Sequence, residues 1–344
     1  MVKKLKLMIF AELIVILILL GYIINIKLNE KAQNLNSPGA NNNSLSANAS
    51  KLSLVSPRIS SGLLKPKSFL IVNYAPLRSK LESYIIKNNL NVSIYVENLR
   101  SGASMGINER EGYLPASLNK LPVAMLIMKK IEAGELSMDT LLGINDSYRI
   151  NISSSFYQTK DKKFPVKILM EKMLKESDNT AFKVLQKNID DDDVIILLTY
   201  LDYYTEESTD SSRNYSGDYL VTPKSIYNLF SSLYLSTVLE PESSQYILSL
   251  LTDTAFDIKK TAKLPQNITI VQKFGSIYTE KEKYFHDCGI IYDGDMRLFY
   301  CVMTKDLSED KAVKVTGLIV NTIYGYTYNT RQQLDLYKEL EVNN

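Results

Sequence analysis

Ser117-Leu118-Asn119-Lys120 is the stretch of sequence on which the prediction of the fold depends. An apolar run with helical spacing follows it: Leu121, Val123, Ala124, Met125, Leu126 and Met128. Ser117 is therefore predicted to begin a helix, and Lys120, three residues later, to lie on the same face. A serine hydroxyl beside a lysine amine pairs a nucleophile with a base. The pattern is also expected of a helix cap followed by a surface lysine, and in such a chain it occurs by chance about once.

Two further polar triplets follow in the chain. Ser177-Asp178-Asn179 begins 60 residues after Ser117, and Lys273-Phe274-Gly275 begins 96 residues after Ser177. Considered singly, the first indicates a polar helix cap, and the second a lysine and a turn glycine at the end of a strand. Together the three motifs supply a hydroxyl nucleophile, an amine base, a hydroxyl–amide pair and a second ammonium group. Such a set can perform acyl transfer without histidine, and the chain contains one histidine, His286.

Length and charge restrict the classes of protein that fit the chain. Its 344 residues allow one large domain or two small ones, with appendages. A formal net charge of +2, with 23% charged residues, does not indicate a nucleic-acid partner. The acidic run Asp190-Asp191-Asp192-Asp193 lacks the glycine and the downstream glutamate of a calcium loop, so it is interpreted as a solvated helix start. We expect no metal and no cofactor.

The N-terminal region predicts a membrane anchor. Residues 1–6 are basic, and residues 7–26 are almost entirely apolar. About 20 apolar residues are enough to cross a bilayer as a helix, and lysines before the span favour a cytoplasmic N-terminus. A cleaved signal peptide is the alternative. We expect a single-pass anchor, a flexible low-complexity linker over 27–70, a folded domain over 71–330 outside the cytoplasm, and a C-terminal tail over 331–344.

Hydrophobic periodicity predicts how the folded domain begins. A helix is predicted over 75–89, where the apolar residues form a stripe. A β-hairpin is predicted next, because Val92–Glu97 alternates with period two. The turn Leu99-Arg100-Ser101-Gly102 joins this strand to the second strand, Ser104–Ile107.

The remainder of the domain predicts the fold class. Helical patterns dominate from 118 to about 250, apart from a polar stretch at 203–220. The last part is predicted to form three strands and a helix, over 268–274, 284–292, 296–304 and 308–324. This order predicts an α+β fold, an α/β sandwich in which N- and C-terminal helices flank a five-stranded antiparallel sheet. An all-α lobe is inserted between the hairpin and the last three strands.

The two cysteines are predicted to lie opposite each other. If Gly294-Asp295 is a two-residue hairpin turn, Cys288 and Cys301 occupy paired positions on the two strands. Outside the cytoplasm they could form a disulfide, and a pair of buried free thiols is the alternative.

The three motifs resemble the S-x-x-K, S-D-N and K-T-G signatures of the class A β-lactamase and penicillin-binding-protein superfamily of serine hydrolases. The likeness runs from about residue 75 to 325 and includes Val221-Thr222-Pro223, which opens a helix after the polar loop. The resemblance implies a β-lactamase/transpeptidase-like fold. It also implies a monomeric enzyme that acts on a β-lactam or a related cell-wall peptide.

The resemblance assigns a role to each motif residue. Ser117 would be the acylated nucleophile, and Lys120 its general base. Ser177 would relay the proton to the leaving nitrogen, and Asn179 would hold the substrate's amide. Lys273 would attract the substrate carboxylate and steady Ser177. The backbone N–H groups of Ser117 and Ser276, next to Gly275, would form the oxyanion hole. For His286 we expect a structural role.

Two positions depart from the family pattern. Phe274 stands where the third signature has Thr or Ser, whose hydroxyl helps to bind the substrate carboxylate. In the polar loop, Glu206 stands 16 residues before Thr222, where class A enzymes carry the glutamate that positions the deacylating water. Asp210 replaces the Asn that follows that glutamate by four residues. The sequence therefore supports acylation better than deacylation.

These departures keep two other functions open. The first is a D,D-peptidase or transpeptidase-like cell-wall enzyme. The second is a degenerate, non-catalytic module that binds peptidoglycan or a protein partner.

Overall fold

The structure is a computed structural model that describes residues 72–145, 156, 162–203 and 219–342, with side chains up to residue 333. The predicted anchor and linker, and the polar-loop residue Glu206, lie outside the described residues. Within the part of the chain that is described, no helix is both long and apolar enough to cross a membrane. The anchor over 7–26 therefore stays a prediction.

Five antiparallel strands form the main sheet, and two short strands form a second one. In chain order the strands are β1 (Val92–Asn98), β2 (Ser104–Ile107), β3 (Leu141–Gly143), β4 (Lys163–Pro165), β5 (Thr269–Tyr278), β6 (Lys283–Asp293) and β7 (Met296–Lys305). The main sheet has the spatial order β2-β1-β7-β6-β5, and β3 pairs with β4. The predicted five-stranded antiparallel sheet is therefore confirmed, and β5 is one of its edges.

The helices of the described residues precede the first strand, follow the last strand, or belong to an inserted lobe. They are α1 (Ala75–Lys87), α2 (Lys120–Glu132), α3 (Val166–Lys175), α4 (Asn179–Gln186), α5 (Asp191–Tyr200), α6 (Pro223–Leu235), α7 (Pro241–Leu250), α8 (Ile258–Thr261) and α9 (Glu309–Val342). The predicted α+β class, with flanking terminal helices and an inserted helical lobe, is confirmed. The acidic run lies at the start of α5, and negative charge is stabilising at the N-terminal end of a helix.

The two faces of the sheet pack against different helices. Successive side chains of a strand point to opposite faces, so one face packs against the terminal helices α1 and α9, and the other against the helical lobe. Helix α2 is the centre of the lobe because every residue from Lys120 to Met128 is buried. A helix that is apolar almost all round has to lie inside a core. The lysine that begins this helix is therefore taken out of water.

Three elements differ from the prediction. β5 pairs with β6 as far as Tyr278, so Lys273-Phe274-Gly275 lies inside the strand and not at its end. α9 does not stop at residue 324 but continues to Val342, through most of the segment predicted as a tail. The strands β3 and β4 were not predicted, because three residues are too few to show alternation.

The hairpin between β6 and β7 carries a disulfide. Cys288 lies opposite Cys301 in the register of the two strands, and the two sulfur atoms are bonded. Gly294, in the turn, has a φ of +51°, a backbone conformation that glycine adopts without strain. The predicted pairing is confirmed, and the disulfide is the form that the structure contains.

Candidate active site

Ser117 lies in a 3-10 turn, Ala116–Asn119, which immediately precedes α2. Gly275 of β5 packs against the backbone of this turn. A Cβ atom added at Gly275 would come within 2.9 Å of the Ser117 nitrogen and 3.1 Å of the Ala116 Cβ. The position therefore needs glycine, because any side chain would push the sheet edge away from Ser117.

Lys120 connects the first two motifs. Its Nζ lies 2.8 Å from the Ser117 Oγ, so the prediction that the two side chains share a face is confirmed. The same nitrogen lies 2.9 Å from the Ser177 carbonyl oxygen, 3.1 Å from the Ser177 Oγ and 2.8 Å from the Asn179 Oδ1. Lys120 is 2% exposed, so these groups replace water around the amine.

The contacts of Lys120 allow its neutral amine to accept one further proton. Two of the acceptors, the Ser177 carbonyl and the Asn179 Oδ1, cannot donate a hydrogen bond. A neutral Lys120 has two N–H bonds, which those two acceptors can take, and one lone pair. The lone pair then remains for a hydroxyl proton, and the Ser117 hydroxyl, at 2.8 Å, is nearer than that of Ser177, at 3.1 Å. The arrangement can therefore hold a neutral amine that accepts the proton of Ser117.

The electrostatic environment favours the neutral amine. Burial lowers the pKa of Lys120 from its ordinary 10.5 to about 7, and the nearby Asp178 carboxylate opposes this only in part. The ring of Phe182 lies 5.7 Å from the Lys120 Nζ. Phe182 was not identified from the sequence, although its helical spacing of three residues from Asn179 places both on one face of α4.

The second motif performs two tasks. Asp178 caps α4, since its side chain accepts a hydrogen bond of 2.8 Å from the Ala181 N–H. The cap prediction is correct for this residue, whereas Ser177 and Asn179 on either side of it reach Lys120. Ser177 has a φ of +57°, in the left-handed region that non-glycine residues seldom adopt. This conformation directs both its carbonyl and its hydroxyl toward the lysine.

Lys273 approaches the same serine from β5. Its Nζ lies 3.0 Å from the Ser177 Oγ and 3.1 Å from the Phe274 carbonyl oxygen, and the Phe274 ring centre is 4.7 Å away. Lys273 is completely buried. Burial and, secondly, the charge of Lys120 lower the pKa of Lys273 well below its ordinary value, while Asp287 raises it. The Ser177 hydroxyl therefore lies between two amines and can pass a proton from one group to another.

Ser276 presents its backbone N–H at the sheet edge. The Thr279 N–H donates to the Glu282 carbonyl at 2.8 Å. This bond shows which residues of β5 direct their backbone groups toward β6 and which direct them away. Backbone groups of an antiparallel strand point alternately toward and away from the partner strand. The Gln272 N–H accordingly points away from β6 and donates to the Leu251 carbonyl. Ser276, four residues later, has the same phase, so its N–H points outward beside the Ser117 turn.

His286 does not contact the serines of the site. Burial lowers the pKa of His286 to about 4, so the ring is neutral at pH 7. Its Nε2 lies 2.9 Å from the Leu114 carbonyl oxygen and donates to it as an N–H. The ring also packs edge-on against Tyr113, with centroids 5.5 Å apart. His286 thus holds the segment that leads into Ser117, in agreement with a structural role.

Asp287 lies behind Lys273 and was not identified from the sequence. It is directly opposite Phe274 in the sheet and is completely buried. Its carboxylate accepts a hydrogen bond of 2.7 Å from the Tyr300 hydroxyl. Burial raises the pKa of Asp287 to about 7, against hydrogen bonding by Tyr300 and the charge of Lys273. Nothing in the local pattern distinguishes this aspartate from a solvated one.

The seven predicted site residues are thus brought to one place, where the helical lobe meets β5. Glu206 lies outside the described residues, so its position is not part of this geometry. Among the described residues, no group of three or more His, Cys, Asp or Glu side chains could hold a metal ion.

Comparison with known proteins identifies the family. The sequence model of the β-lactamase enzyme family matches residues 76–327, which is most of the chain. No curated protein matches the chain in sequence. Among solved structures, PBP-A is similar with a TM-score of 0.65 and 17% identity, over 74% of this chain and 97% of its own. A mutant of PBP-A, with a TM-score of 0.66, 17% identity and coverage of 76% and 100%, was solved as an acyl-enzyme complex with penicillin G.

Two β-lactamases have the same fold. The TLA-1 extended-spectrum β-lactamase is similar with a TM-score of 0.64 and 20% identity, over 73% of this chain and 98% of its own. A β-lactamase from Chitinophaga pinensis has a TM-score of 0.64 and 17% identity, over 73% and 99%. These likenesses support the fold, while the match over residues 76–327 establishes the family. The chain belongs to the β-lactamase enzyme family and is a serine hydrolase.

Proposed function

We propose that this enzyme forms an acyl-enzyme at Ser117 with a β-lactam or a related cell-wall peptide amide. The observation that carries the proposal is the contact of 2.8 Å between the Ser117 Oγ and a buried lysine amine whose pKa is lowered to about 7. A serine hydroxyl becomes a competent nucleophile when an adjacent base takes its proton. Lys120 is the base that this geometry supplies.

In the proposed acylation, neutral Lys120 takes the proton of Ser117 while the Ser117 Oγ attacks the carbonyl carbon of the amide. The developing oxyanion accepts hydrogen bonds from the backbone N–H groups of Ser117 and Ser276. Removal of one such donor commonly costs about 10²–10³ in rate. Gly275 keeps the two N–H groups near each other.

The leaving nitrogen must then receive a proton. The ammonium of Lys120 gives its proton to the Ser177 Oγ, which passes its own proton to the nitrogen as the C–N bond breaks. Lys273, 3.0 Å from the Ser177 Oγ, orients this hydroxyl. The Asn179 side chain holds the substrate's amide. The acyl-enzyme complex of a PBP-A mutant with penicillin G supports acylation as the reaction of the present chain.

A D,D-peptidase or transpeptidase-like enzyme is the second candidate. It uses the same acylation, and the observation in its favour is Asp210, which stands where the Asn that accompanies the class A glutamate is expected. Release of the acyl group separates the candidates. Steady turnover of nitrocefin, lost in Glu206→Ala with accumulation of the acyl-enzyme, identifies a β-lactamase. Acylation without turnover of nitrocefin identifies the second candidate.

We also propose that residues 7–26 anchor the enzyme in the membrane as a single-pass helix, with the catalytic domain outside the cytoplasm. The support is the apolar length of this segment and the lysines that precede it. Full-length protein is expected in the membrane fraction, and protein without residues 1–26 in the soluble fraction. Full-length protein that is released from the membrane with a shortened N-terminus would instead identify a cleaved signal peptide.

A fluorescent penicillin tests the acylation directly. The native enzyme is expected to carry a covalent label after denaturing electrophoresis, and Ser117→Ala to carry none. Ser79→Ala, which removes an exposed serine of α1, is the matched control and should label like the native enzyme. Equal labelling of Ser117→Ala and native protein would refute the proposal.

A further inference from the structure

The described residues of the site offer a substrate little accessible positive charge. The two lysines that contact the site serines are 2% and 0% exposed, so neither amine faces open solvent. Lys120 is engaged by Ser117, Ser177 and Asn179. Lys273 is engaged by the Ser177 Oγ and the Phe274 carbonyl oxygen. Burial and the neighbouring Lys120 also lower the pKa of Lys273. Within the described part of the site, an anionic group would therefore meet no ammonium that is not already engaged by the protein.

The ring of Phe274 lies over the Lys273 amine. The ring centre lies 4.7 Å from the Lys273 Nζ, within the range in which an aromatic face attracts and covers a cation. The Phe274 ring packs against the ring of Phe256, with centroids 5.7 Å apart. A phenylalanine side chain donates no hydrogen bond. At the position next to the oxyanion-hole segment, the chain thus presents an apolar surface.

A carboxylate would be poorly accommodated against this surface. Removing an ionised carboxylate from water costs on the order of several kcal/mol unless hydrogen-bond donors or a cation replace the water. Hydrogen bonds to charged groups contribute about 1.5–3 kcal/mol each. Phe274 supplies none, two hydrogen bonds of Lys273 are already made within the protein, and the Phe274 ring lies over its Nζ. A neutral group avoids this cost.

We propose that Phe274, by covering Lys273, makes the site selective for amides whose leaving side carries a neutral group, such as an ester, a primary amide or a continuing peptide chain, in place of a free carboxylate. This inference rests on the proposed acylation of Ser117 and names its substrate class. Phe274 acts as a specificity-determining residue.

A matched pair of substrates tests the inference. The second-order rate constant for acylation is measured by intact mass for benzylpenicillin, which has a free carboxylate, and for its methyl ester. The native enzyme is expected to acylate the two within about threefold of each other, or to prefer the ester. In Phe274→Thr a hydroxyl donor returns and the ring is removed, so the preference should shift toward the carboxylate by about 10–10².

A second variant separates the missing donor from the covering ring. Phe274→Leu removes the ring but adds no donor, so its shift toward the carboxylate should be smaller than that of Phe274→Thr. A native enzyme that prefers the free carboxylate tenfold or more overturns the inference, and so does an unchanged preference in folded Phe274→Thr. If that variant does not fold, the native preference decides alone. Absence of acylation by both compounds would overturn the proposed function itself.

Discussion

Lys120 is a lysine surrounded by hydrogen-bond acceptors, and Asp178 is the carboxylate that acts on its charge. Lys120 is buried among these acceptors because it begins α2, whose first nine residues are buried. The sequence pattern left the burial of Lys120 open, because a surface lysine after a helix cap gives the same pattern. The contact of Lys120 with Asn179, 59 residues away, is not a local property and was expected only from the resemblance of the three motifs.

Replacement of Lys120 by arginine tests its role as the base. Lys120→Arg keeps a cationic side chain, but a guanidinium group is not deprotonated in proteins. We expect the rate constant for acylation by penicillin to fall by about 10²–10⁴. Lys129→Arg, at an exposed position of α2 paired with Glu132, is the matched control and should be unchanged. A Lys120→Arg rate within tenfold of the native rate would exclude Lys120 as the base.

The acylation rate should depend on the ionisation of Lys120. The base is the neutral amine, and its pKa of about 7 means that it is increasingly protonated below that pH. The rate constant is therefore expected to fall about tenfold per pH unit below 7 and to level off above about 8. Labelling rates between pH 5 and 9 measure the profile. A rate that is flat over this range, or that keeps rising to pH 9, would contradict the lowered pKa.

At the scale of elements, β5 organises the site. It carries Lys273, Gly275 and Ser276, and its position at the sheet edge leaves alternate backbone groups free for contacts outside the sheet. The sequence predicted a strand that ended at the third motif, where Gly275 was interpreted as a turn glycine. Pairing with β6 extends the strand to Tyr278, which lies opposite Lys283, so the hairpin partner and not the local pattern decides where the strand ends.

Gly275→Ala tests the close approach of β5 to the nucleophile. The added methyl group would lie 2.9 Å from the Ser117 nitrogen, so the strand or the turn must shift. We expect the acylation rate to fall by about 10–10². Gly325→Ala adds the same methyl group on α9, where it would meet nothing within 4 Å apart from the helix's own backbone, and should leave the rate unchanged. Equal rates in the two variants would show that the contact is not needed.

The disulfide stabilises the hairpin that supports β5. Cys288 and Cys301 are 13 residues apart, and a loop of this size is expected to contribute about 3 kcal/mol to the free energy of unfolding. Native protein refolded with reductant should therefore have a lower midpoint in urea than oxidised protein. The double variant Cys288→Ala/Cys301→Ala should be insensitive to reductant. Equal midpoints of the native protein under both conditions would mean that the thiols are not bonded.

At the scale of the whole domain, the site lies where two hydrophobic cores meet. The lobe core carries α2 and α4, and the strand that faces both cores carries Lys273. The first hairpin could be predicted closely, because alternation is a local signal: Val92–Glu97 was predicted and Val92–Asn98 is observed. The left-handed conformation of Ser177 and the burial of Asp287 could not, because each depends on residues that are distant in the chain.

The proposed function depends on acylation of Ser117 with Lys120 as the base. Intact-mass analysis of the soluble domain, followed over time after addition of benzylpenicillin, is the decisive measurement of this step. We predict a single covalent addition of the mass of one penicillin, which is absent in Ser117→Ala and forms slowly in Lys120→Arg. Peptide mapping should locate the added mass at Ser117. A native protein that stays unmodified at saturating penicillin without consuming it, or an adduct that persists in Ser117→Ala, would contradict this acylation.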